Sequence, residues 1–361
     1  HKLSEYGQKV FEYLSDNTKE NSFKMFYQLL KDYGKLIPGG SILTTLGTNK
    51  KSTLSNCYVT PSPEDRISSI FDSVKTNAVI YSNRGGCGTD MSNLRPRGAK
   101  VNNAASSSTG AVSFMELYSI NAQTIGADGR RAAQMLTMSD RHPDIEEFIK
   151  IKSDLSKIPG ANLSIMMSKA LIDSSLEDKD WTLCFPVNDE NLIKFDSKPE
   201  YDSLPYNELI QVDENKYIKK IKARKLFDMI VHYAHKTAEP GILLKDNLLE
   251  YDPTSVYDDL RFVSTNPCGE QPLAPYDSCR LASINLFEFV KNPFTKEARF
   301  DFQDYYESVY KGILFMDNII DCEVNILLQM INKTDDKFAK QLWQNVYQIA
   351  KKGRRIGLGF T

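Results

Sequence analysis

The sequence predicts an α/β fold in which parallel strands are joined by crossover helices. From about residue 37 onward, short apolar segments alternate with segments whose apolar residues repeat at helical spacing. Gly, Pro or Asn stands at the joins between these segments. This alternation is typical of a barrel or of an open sheet covered by helices.

The predicted elements follow in chain order. Residues 1–36 carry apolar residues at helical spacing and predict a helical N-terminal segment of two helices joined near residues 17–21. Short strands are predicted at residues 41–46 and 57–59. Helices are predicted at residues 67–81, 112–125, 144–151, 223–235 and 302–324, and residues 187–217 are charged and loop-like. Residues 354–361 predict a buried strand.

The composition is that of an ordinary globular protein. Of the 361 residues, 41% are hydrophobic and 25% are charged, which excludes the disordered and fibrous classes. The formal net charge of −2 gives no field that would recruit nucleic acid or a membrane surface. The sequence has no run of 18 apolar residues and no signal-peptide pattern, so we expect a cytoplasmic protein.

Six cysteines without close regular spacing argue against a secreted disulfide scaffold. Cys184 and Cys322 are interpreted as core residues, and Cys87 as part of a glycine-rich segment where backbones approach closely. His232 and His235 have a spacing that can place both imidazoles on one helix face. No Cys or acidic motif stands nearby, so no metal site is predicted.

The most informative segment is residues 264–286, in which Asn266, Cys268 and Glu270 alternate within a run rich in Pro and Gly. The prolines exclude a regular helix and a central strand, so we expect a constrained loop that leads into an extended piece. In an extended backbone residues two apart face the same way, so we expect the amide, thiol and carboxylate on one face. Such a set suits hydrogen abstraction by sulfur and proton removal by a carboxylate. On spacing alone, a polar surface loop with an incidental cysteine remains an open alternative.

This segment resembles the active-site loop of the ribonucleotide reductase large subunit. Residues 38–48 and 55–59 resemble the first barrel strands of that family, residues 85–99 its effector-binding region, and residues 238–248 a later strand and turn. The resemblance implies a ten-stranded α/β barrel that is incomplete in this chain. Residues 37–361 would be its N-terminal and central part, after a helical segment at residues 1–36.

The resemblance implies the catalytic roles. Cys268 would become the thiyl radical that removes the 3′ hydrogen of a ribonucleotide, while Glu270 takes the 3′-hydroxyl proton and Asn266 holds that part of the sugar. Cys57 and Cys279 would be the reducing pair that ends as a disulfide. They lie 279 − 57 = 222 residues apart, so only a closed tertiary fold brings them within the ~4.4–6.8 Å Cα separation of a disulfide. Without the match, the favoured interpretation of Cys57 is a small buried hydrophobe on a strand.

The resemblance also implies nucleotide-binding residues. Those for the substrate are Ser41, Ser55, Asn56, Gly86 and Arg131. Those for the effector are Asp65, Lys75, Arg95, Arg97, Asp128 and Arg130. Arginines can pair bidentately with phosphates, and glycines let a loop change shape with the bound effector. For Asp65, which precedes a predicted helix, capping of that helix is the open alternative.

Cofactor and partners follow from the same resemblance. The gap of 279 − 268 = 11 residues between Cys268 and Cys279 is most similar to the adenosylcobalamin-dependent class, and a separate metal-containing small subunit is the alternative radical source. The expected partners are a ribonucleotide substrate, a nucleoside triphosphate effector, an external thiol reductant such as thioredoxin, and a second copy in a homodimer. Because the family has further barrel strands beyond the position of residue 361, we expect the chain to need the C-terminal portion of the same enzyme in trans.

Two other classes stay open. One is a non-catalytic nucleotide-binding fragment, and the other is a glycyl-radical enzyme, which shares the barrel and the thiyl. The intact set of Asn, Glu and three cysteines argues against the first, because a binding module has no use for a spatially paired dithiol. Against the second, glycyl-radical enzymes carry their glycine loop near the C-terminus, a region that this chain does not show.

Overall fold

The computed structural model describes residues 16–49, 52–127 and 130–361. These residues form two compact units. The first unit comprises residues 16–49, 52–58, 83–85 and 276–361, and the second comprises residues 59–82, 86–127 and 130–275.

The helices and strands are numbered in chain order. The α-helices are α1 (Asp16–Leu30), α2 (Gly40–Thr45), α3 (Ile67–Ser82), α4 (Ala111–Thr124), α5 (Ile145–Lys150), α6 (Lys169–Leu176), α7 (Glu190–Ile193), α8 (Ala223–Thr237), α9 (Lys245–Tyr251), α10 (Phe302–Lys333) and α11 (Lys337–Gly353). The strands of the first half of the chain are β1 (Leu36–Pro38), β2 (Cys57–Val59), β3 (Gly86–Asp90), β4 (Gly126–Ala127), β5 (Arg130–Arg131), β6 (Gln134–Ser139) and β7 (Asn162–Met167). Those of the second half are β8 (Asp180–Phe185), β9 (Leu209–Asp213), β10 (Lys216–Lys222), β11 (Gly241–Leu244), β12 (Ser264–Thr265), β13 (Pro272–Leu273), β14 (Ser278–Cys279), β15 (Leu281–Ile284), β16 (Val290–Lys291), β17 (Arg299–Phe300) and β18 (Gly357–Phe360).

The second unit is built on a parallel sheet with the strand order β11, β7, β6, β3. Every residue of β6 is buried, as expected for a parallel strand covered on both faces. Leu136 and Ile165 of this sheet pack in one core with Met115 of α4 and Phe148 of α5. The parallel strands with crossover helices that the sequence predicts are therefore confirmed.

The second unit also contains an antiparallel sheet with the order β8, β10, β9. The prediction of a loop over residues 187–217 is wrong where β9 and the start of β10 form a hairpin. Its turn includes Asn215 at a φ of 65°, a conformation that Asn adopts more readily than most residues. The two strands are only partly buried at this end, so their apolar alternation is weak in the sequence.

The first unit contains a sheet in which β15 lies between β1 and β18. β1 is antiparallel to β15, and β18 is parallel to it. Phe26 of α1, Leu36 of β1, and Phe315 and Ile319 of α10 pack in one core. The predicted strand at residues 354–361 is confirmed as β18, but the prediction that it is buried is wrong: its first two residues are half-buried and its last two are exposed.

Two sequence predictions in the first unit differ from the structure. Helix α1 runs through the predicted joint at residues 17–21, and the apolar residues of the predicted first helix, Val10, Phe11 and Leu14, lie outside the described residues. The predicted strand at residues 41–46 is the helix α2. An apolar run of six residues cannot distinguish a buried strand from a buried helical turn. Across the described part of the chain, no helix is both long and apolar enough to cross a membrane.

Candidate functional site

Residues 264–273 form a hairpin with Cys268 in its turn, called here the Cys268 hairpin. Its two strands, β12 and β13, are antiparallel. Between them the Gly269 N–H donates to the Asn266 carbonyl at 3.0 Å, which closes a four-residue turn. Asn at the first position, Pro at the second and Gly at the fourth are the residues that a type I turn prefers. Gly269 has a φ of +85°, which costs glycine little.

The turn places the three predicted catalytic side chains of this segment in different environments. Asn266 is fully buried, whereas Cys268 and Glu270 are exposed. The prediction that an extended backbone presents all three on one face is wrong, because the chain reverses between residues 266 and 269. Asn266 Oδ1 accepts the Gln271 N–H at 2.9 Å. Among the described residues, Asn266 Nδ2 is buried without a hydrogen-bond partner. Leaving a buried donor unsatisfied costs about 1–3 kcal/mol, so this amide is suited to donate to a ligand oxygen.

Two glycines of β3 let the Cys268 hairpin pack directly against the parallel sheet. A Cβ at Gly88 would lie 1.7 Å from the Thr265 carbonyl oxygen, and a Cβ at Gly86 would lie 2.8 Å from Pro267 Cγ. Asn162 of β7 donates from Nδ2 to the Pro267 carbonyl at 3.0 Å. The interpretation of this glycine-rich segment as a place of close backbone approach is confirmed. The predicted substrate residue Gly86 therefore contacts the residue that precedes the exposed thiol.

A chain of polar groups holds the base of the hairpin. Thr137 Oγ1 lies 3.0 Å from Ser264 Oγ of β12 and donates to Asp90 Oδ1 at 3.0 Å. Ser92 Oγ also donates to this oxygen, at 2.9 Å. Burial raises the pKa of Asp90 to about 6, while the hydrogen bonds from Ser92 and Thr137 and the charge of Lys245 oppose this rise. The carboxylate is thus two hydrogen bonds away from the hairpin.

Cys57 of β2 and Cys279 of β14 lie directly opposite one another on antiparallel strands, called here the paired-cysteine strands. Opposed residues on such strands have Cα atoms about 4.5–5.5 Å apart, inside the range of about 4.4–6.8 Å for a disulfide. Cys57 is 6% exposed and Cys279 is 0% exposed. The fold therefore brings two thiols together that are distant in sequence.

The other cysteines differ from Cys268 in exposure. All six cysteines lie in described residues, and Cys268 is the exposed one. Cys184 and Cys322 are buried, which confirms their interpretation as core residues, and Cys87 is buried as well.

Three predicted substrate residues are buried in the first unit. Asn56 Oδ1 accepts the Ser41 N–H at 3.0 Å, and the Asn56 N–H donates to the Cys279 carbonyl at 3.0 Å. Within the described residues, Ser41 Oγ is buried without a hydrogen-bond partner. Ser55 lies beside Asn56 and is also buried. In the second unit, Arg131 of β5 is exposed. The binding roles of these residues stay predictions.

Several predicted effector residues interact with protein carboxylates. Asp65 accepts the backbone N–H of Arg95 at 3.0 Å and its Nε at 2.7 Å. Both Nε and Nη2 of Arg97 donate to the Glu147 carboxylate, at 2.9 and 2.7 Å. A phosphate at either arginine would compete with these carboxylates. Lys75 is exposed on α3. Asp128 lies outside the described residues, and of Arg130 only the backbone in β5 is described. Their effector roles, and the capping alternative for Asp65, stay predictions.

Residues 55–361 match the sequence model of the family described as "Ribonucleotide reductase, barrel domain". The chain belongs to this family. It is 32% identical over 325 residues to the vitamin B12-dependent ribonucleoside-diphosphate reductase of Thermoplasma acidophilum, with 90% of the chain and 36% of the relative covered. It is 30% identical over 336 residues to the protein of the same name from Mycobacterium tuberculosis, with 92% of the chain and 41% of the relative covered.

A further relative of the ribonucleotide reductase chain is the ribonucleoside-diphosphate reductase subunit alpha of Chlamydia pneumoniae. It is 25% identical over 327 residues, which cover 85% of the chain and 30% of the relative. The chain therefore spans between 30% and 41% of the length of these curated relatives.

Sequence reasoning missed two carboxylates that lie in hydrogen-bond networks next to these cysteines: Asp90 near the Cys268 hairpin, and Glu323, which accepts Ser55 Oγ beside the paired-cysteine strands. Asp90 stands at the end of a buried strand, where nothing in the sequence links it to the distant Ser264. Glu323 had a detectable signal, because it lies four residues from both Ile319 and Leu327 and so interrupts the apolar face of α10. A charged residue at such a position is rarely left without a partner.

Proposed function

We propose that this chain carries both thiol sites of a ribonucleotide reductase, which converts a ribonucleotide to a 2′-deoxyribonucleotide. The observation that carries the proposal is the register of the paired-cysteine strands, which sets two buried thiols opposite one another. A dithiol in this arrangement can close to a disulfide and deliver two electrons. The exposed Cys268 thiol would be the third reacting sulfur. Family membership supports the same reaction.

In the proposed reaction each residue has a distinct part. Cys268, as a thiyl radical, takes the 3′ hydrogen atom and returns it at the end. The exposed Glu270 carboxylate takes the 3′-hydroxyl proton, and the buried Asn266 amide donates to a sugar oxygen. The 2′ C–O bond breaks and water leaves. The net change is one C–OH and two thiols converted to one C–H, one water and the disulfide between Cys57 and Cys279, which balances electrons and protons.

Adenosylcobalamin is the proposed radical source. Cys268 fits this role because its thiol is exposed in a turn, where a bulky cofactor can reach it. When bound, the cofactor supplies the radical that removes the hydrogen atom of a thiol. Two relatives of this chain are named vitamin B12-dependent, which favours this source over a separate metal-containing subunit.

The complete enzyme would form the ten-stranded α/β barrel of its family, with the parallel strands of this chain as part of it. Its proposed partners are the C-terminal portion of the same enzyme, a nucleoside triphosphate effector, a second copy in a homodimer and a thiol reductant such as thioredoxin. We place it in the cytoplasm, where such reductants keep thiols available.

The experiment is a single turnover of the complete enzyme without reductant, with adenosylcobalamin and a ribonucleoside diphosphate. We expect about one deoxyribonucleotide per active site, and peptide mapping should find Cys57 joined to Cys279. Cys268→Ala should give neither product nor disulfide while effector binding persists, because the thiol acts in the chemical step. Cys184→Ala, at another buried cysteine, is the matched control and should retain turnover.

Two results would contradict the proposal. If product forms and both Cys57 and Cys279 remain alkylatable thiols, they are not the reducing pair. If the enzyme is active only with a diiron or manganese subunit, the cofactor assignment is wrong while the thiol roles remain.

A further inference from the structure

The face of the paired-cysteine strands that lies away from the thiols carries a buried polar network. Successive side chains of a strand face opposite ways, so the opposed Cys57 and Cys279 share one face. Tyr58 and Ser278, which are also opposed, share the other. The ladder between these two strands is only two residue pairs long. Additional bonds on the second face therefore matter for the register.

Glu323 of α10 joins the two strands from this second face. Its fully buried carboxylate accepts the Leu54 N–H at 2.5 Å and Ser55 Oγ at 3.0 Å, both just before β2. Ser55 Oγ also lies 3.2 Å from Ser278 Oγ of β14. One carboxylate thus holds the approach to β2 directly and reaches β14 through a single hydroxyl.

Arg280, just after β14, supplies the opposite charge. It is 0% exposed, and its Nη2 donates to Ser278 Oγ at 2.9 Å. Its Nη1 donates to the carbonyls of Ser278 and Arg355, at 3.1 Å each. Burial raises the pKa of Glu323, and the Arg280 charge and the bonds from Leu54 and Ser55 oppose this rise. A buried carboxylate that interacts with a buried guanidinium is tightly constrained, because losing either leaves an uncompensated charge.

We propose that Glu323 is a positioning residue for the Cys57–Cys279 pair. Through Ser55 and Ser278, and with Arg280 as its counter-ion, it holds β2 and β14 in the register that sets the two sulfurs opposite each other. This inference rests on the proposed function only in taking these thiols as the reducing pair.

The test measures how readily the pair forms a disulfide, without any turnover. The 361-residue chain is equilibrated with reduced and oxidised glutathione, from both the reduced and the oxidised side. Oxidation of the pair follows the balanced exchange of two protein thiols and one glutathione disulfide for one protein disulfide and two glutathione thiols. Acid quenching, alkylation and peptide mass spectrometry then give the equilibrium constant for the Cys57–Cys279 disulfide.

We expect Glu323→Ala to lower this constant about tenfold, because a buried hydrogen-bonded charge is removed. Glu323→Gln keeps the shape and one acceptor oxygen, so it should restore part of the loss, to within about threefold of wild type. Ser278→Ala removes the hydroxyl that Ser55 and Arg280 contact and leaves every charged residue in place. It should lower the equilibrium constant for the disulfide about threefold. Asp140→Asn is the matched control: Asp140 is a buried carboxylate that Ser168 hydrogen-bonds in the second unit.

Each variant is compared only where circular dichroism shows it to be folded. If Glu323→Ala does not fold, Glu323→Gln and Ser278→Ala decide the question. An equilibrium constant unchanged in the folded variants, or lowered equally by Asp140→Asn, overturns the proposal. Failure of the complete enzyme to make deoxyribonucleotides would instead contradict the proposed function, and it would leave the measured equilibrium intact.

Discussion

The two thiol sites of this chain are supported in opposite ways. The Cys268 hairpin is held by backbone packed against glycines of β3, and its thiol is exposed. The paired-cysteine strands are held by a buried network of side chains, and both thiols are buried. A thiol that reacts with a substrate must stay exposed, so the contacts that hold it have to lie on the other side of its loop. Two thiols that react with each other need a fixed separation. The difference in support therefore matches the difference in proposed role.

A carboxylate is connected to each of the two sites by hydrogen bonds. Asp90 is connected to the hairpin through Thr137, and Glu323 is connected to β14 through Ser55. Burial raises the pKa of both groups. We expect the hairpin to depend first on close packing and the paired-cysteine strands to depend first on hydrogen bonds. Substitutions can test this order.

The largest effect is expected from Gly88→Ala. Its Cβ would lie 1.7 Å from the Thr265 carbonyl oxygen, so β3 or the hairpin must move. We expect a loss of about 3 kcal/mol in the free energy of unfolding, at the upper end for overpacking. Urea denaturation measures it. The matched control is Gly40→Ala, because nothing lies within 4 Å of that Cβ. Equal stability of the two variants would show that the hairpin is not held by close packing.

The contrast between the sites also explains what the sequence could predict. The Asn-Pro-Cys-Gly order at residues 266–269 is a local turn signal, so the hairpin was predictable from turn chemistry, although we predicted a constrained loop that leads into an extended piece. The parallel sheet and its helices were predictable because periodicity reports burial. The carboxylates were not, because the bonds that join Asp90 to Ser264 and Glu323 to Ser55 cross more than 170 and 260 residues of chain, respectively. Only the folded chain brings these groups together.

A smaller effect is expected in the pH dependence of the free energy of unfolding that comes from Asp90. The pKa of Asp90 is raised from 3.8 to about 6, so the native state binds this proton more tightly than the unfolded chain does. The contribution of Asp90 to the free energy of unfolding is therefore highest below pH 4, and it falls as the pH rises between the two pKa values, from 3.8 to about 6. Because Asp90 is not completely shielded from solvent, we expect a difference of about 2 kcal/mol. Asp90→Asn should abolish this component, as measured by urea denaturation at pH 4 and pH 7.

The control for the pH experiment is Asp154→Asn. The Asp154 carboxylate is exposed, and hydrogen bonds from Ser156 lower its pKa. Its contribution to the free energy of unfolding therefore has the opposite pH dependence and is lost as the pH falls. A wild-type chain and an Asp90→Asn chain with the same pH dependence would show that Asp90 is not the titrating group.

The smallest single-variant effect is expected from Ser264→Ala, which removes the hydrogen bond between Thr137 and the hairpin. Thr137 keeps its bond to Asp90, so only the 3.0 Å contact between Thr137 Oγ1 and Ser264 Oγ is lost. We expect a loss of about 1 kcal/mol in the free energy of unfolding. Thr109→Ala is the control, because Thr109 makes a similar hydroxyl pair with Ser113 at an exposed position.

The decisive measurement is the free energy of unfolding of the double variant that combines Asp90→Asn with Ser264→Ala. Thr137 has one hydroxyl proton, and while it donates to Asp90 its oxygen must accept from Ser264. Replacing the carboxylate by an amide, which can donate, alters the direction of that bond. The two substitutions should therefore be non-additive by about 0.5 kcal/mol or more, whereas unconnected sites add within about 0.3–0.5 kcal/mol. Strict additivity would show that Asp90 does not act on the hairpin through Thr137, and the glycine packing and the bond from Asn162 to Pro267 would then hold the hairpin without it.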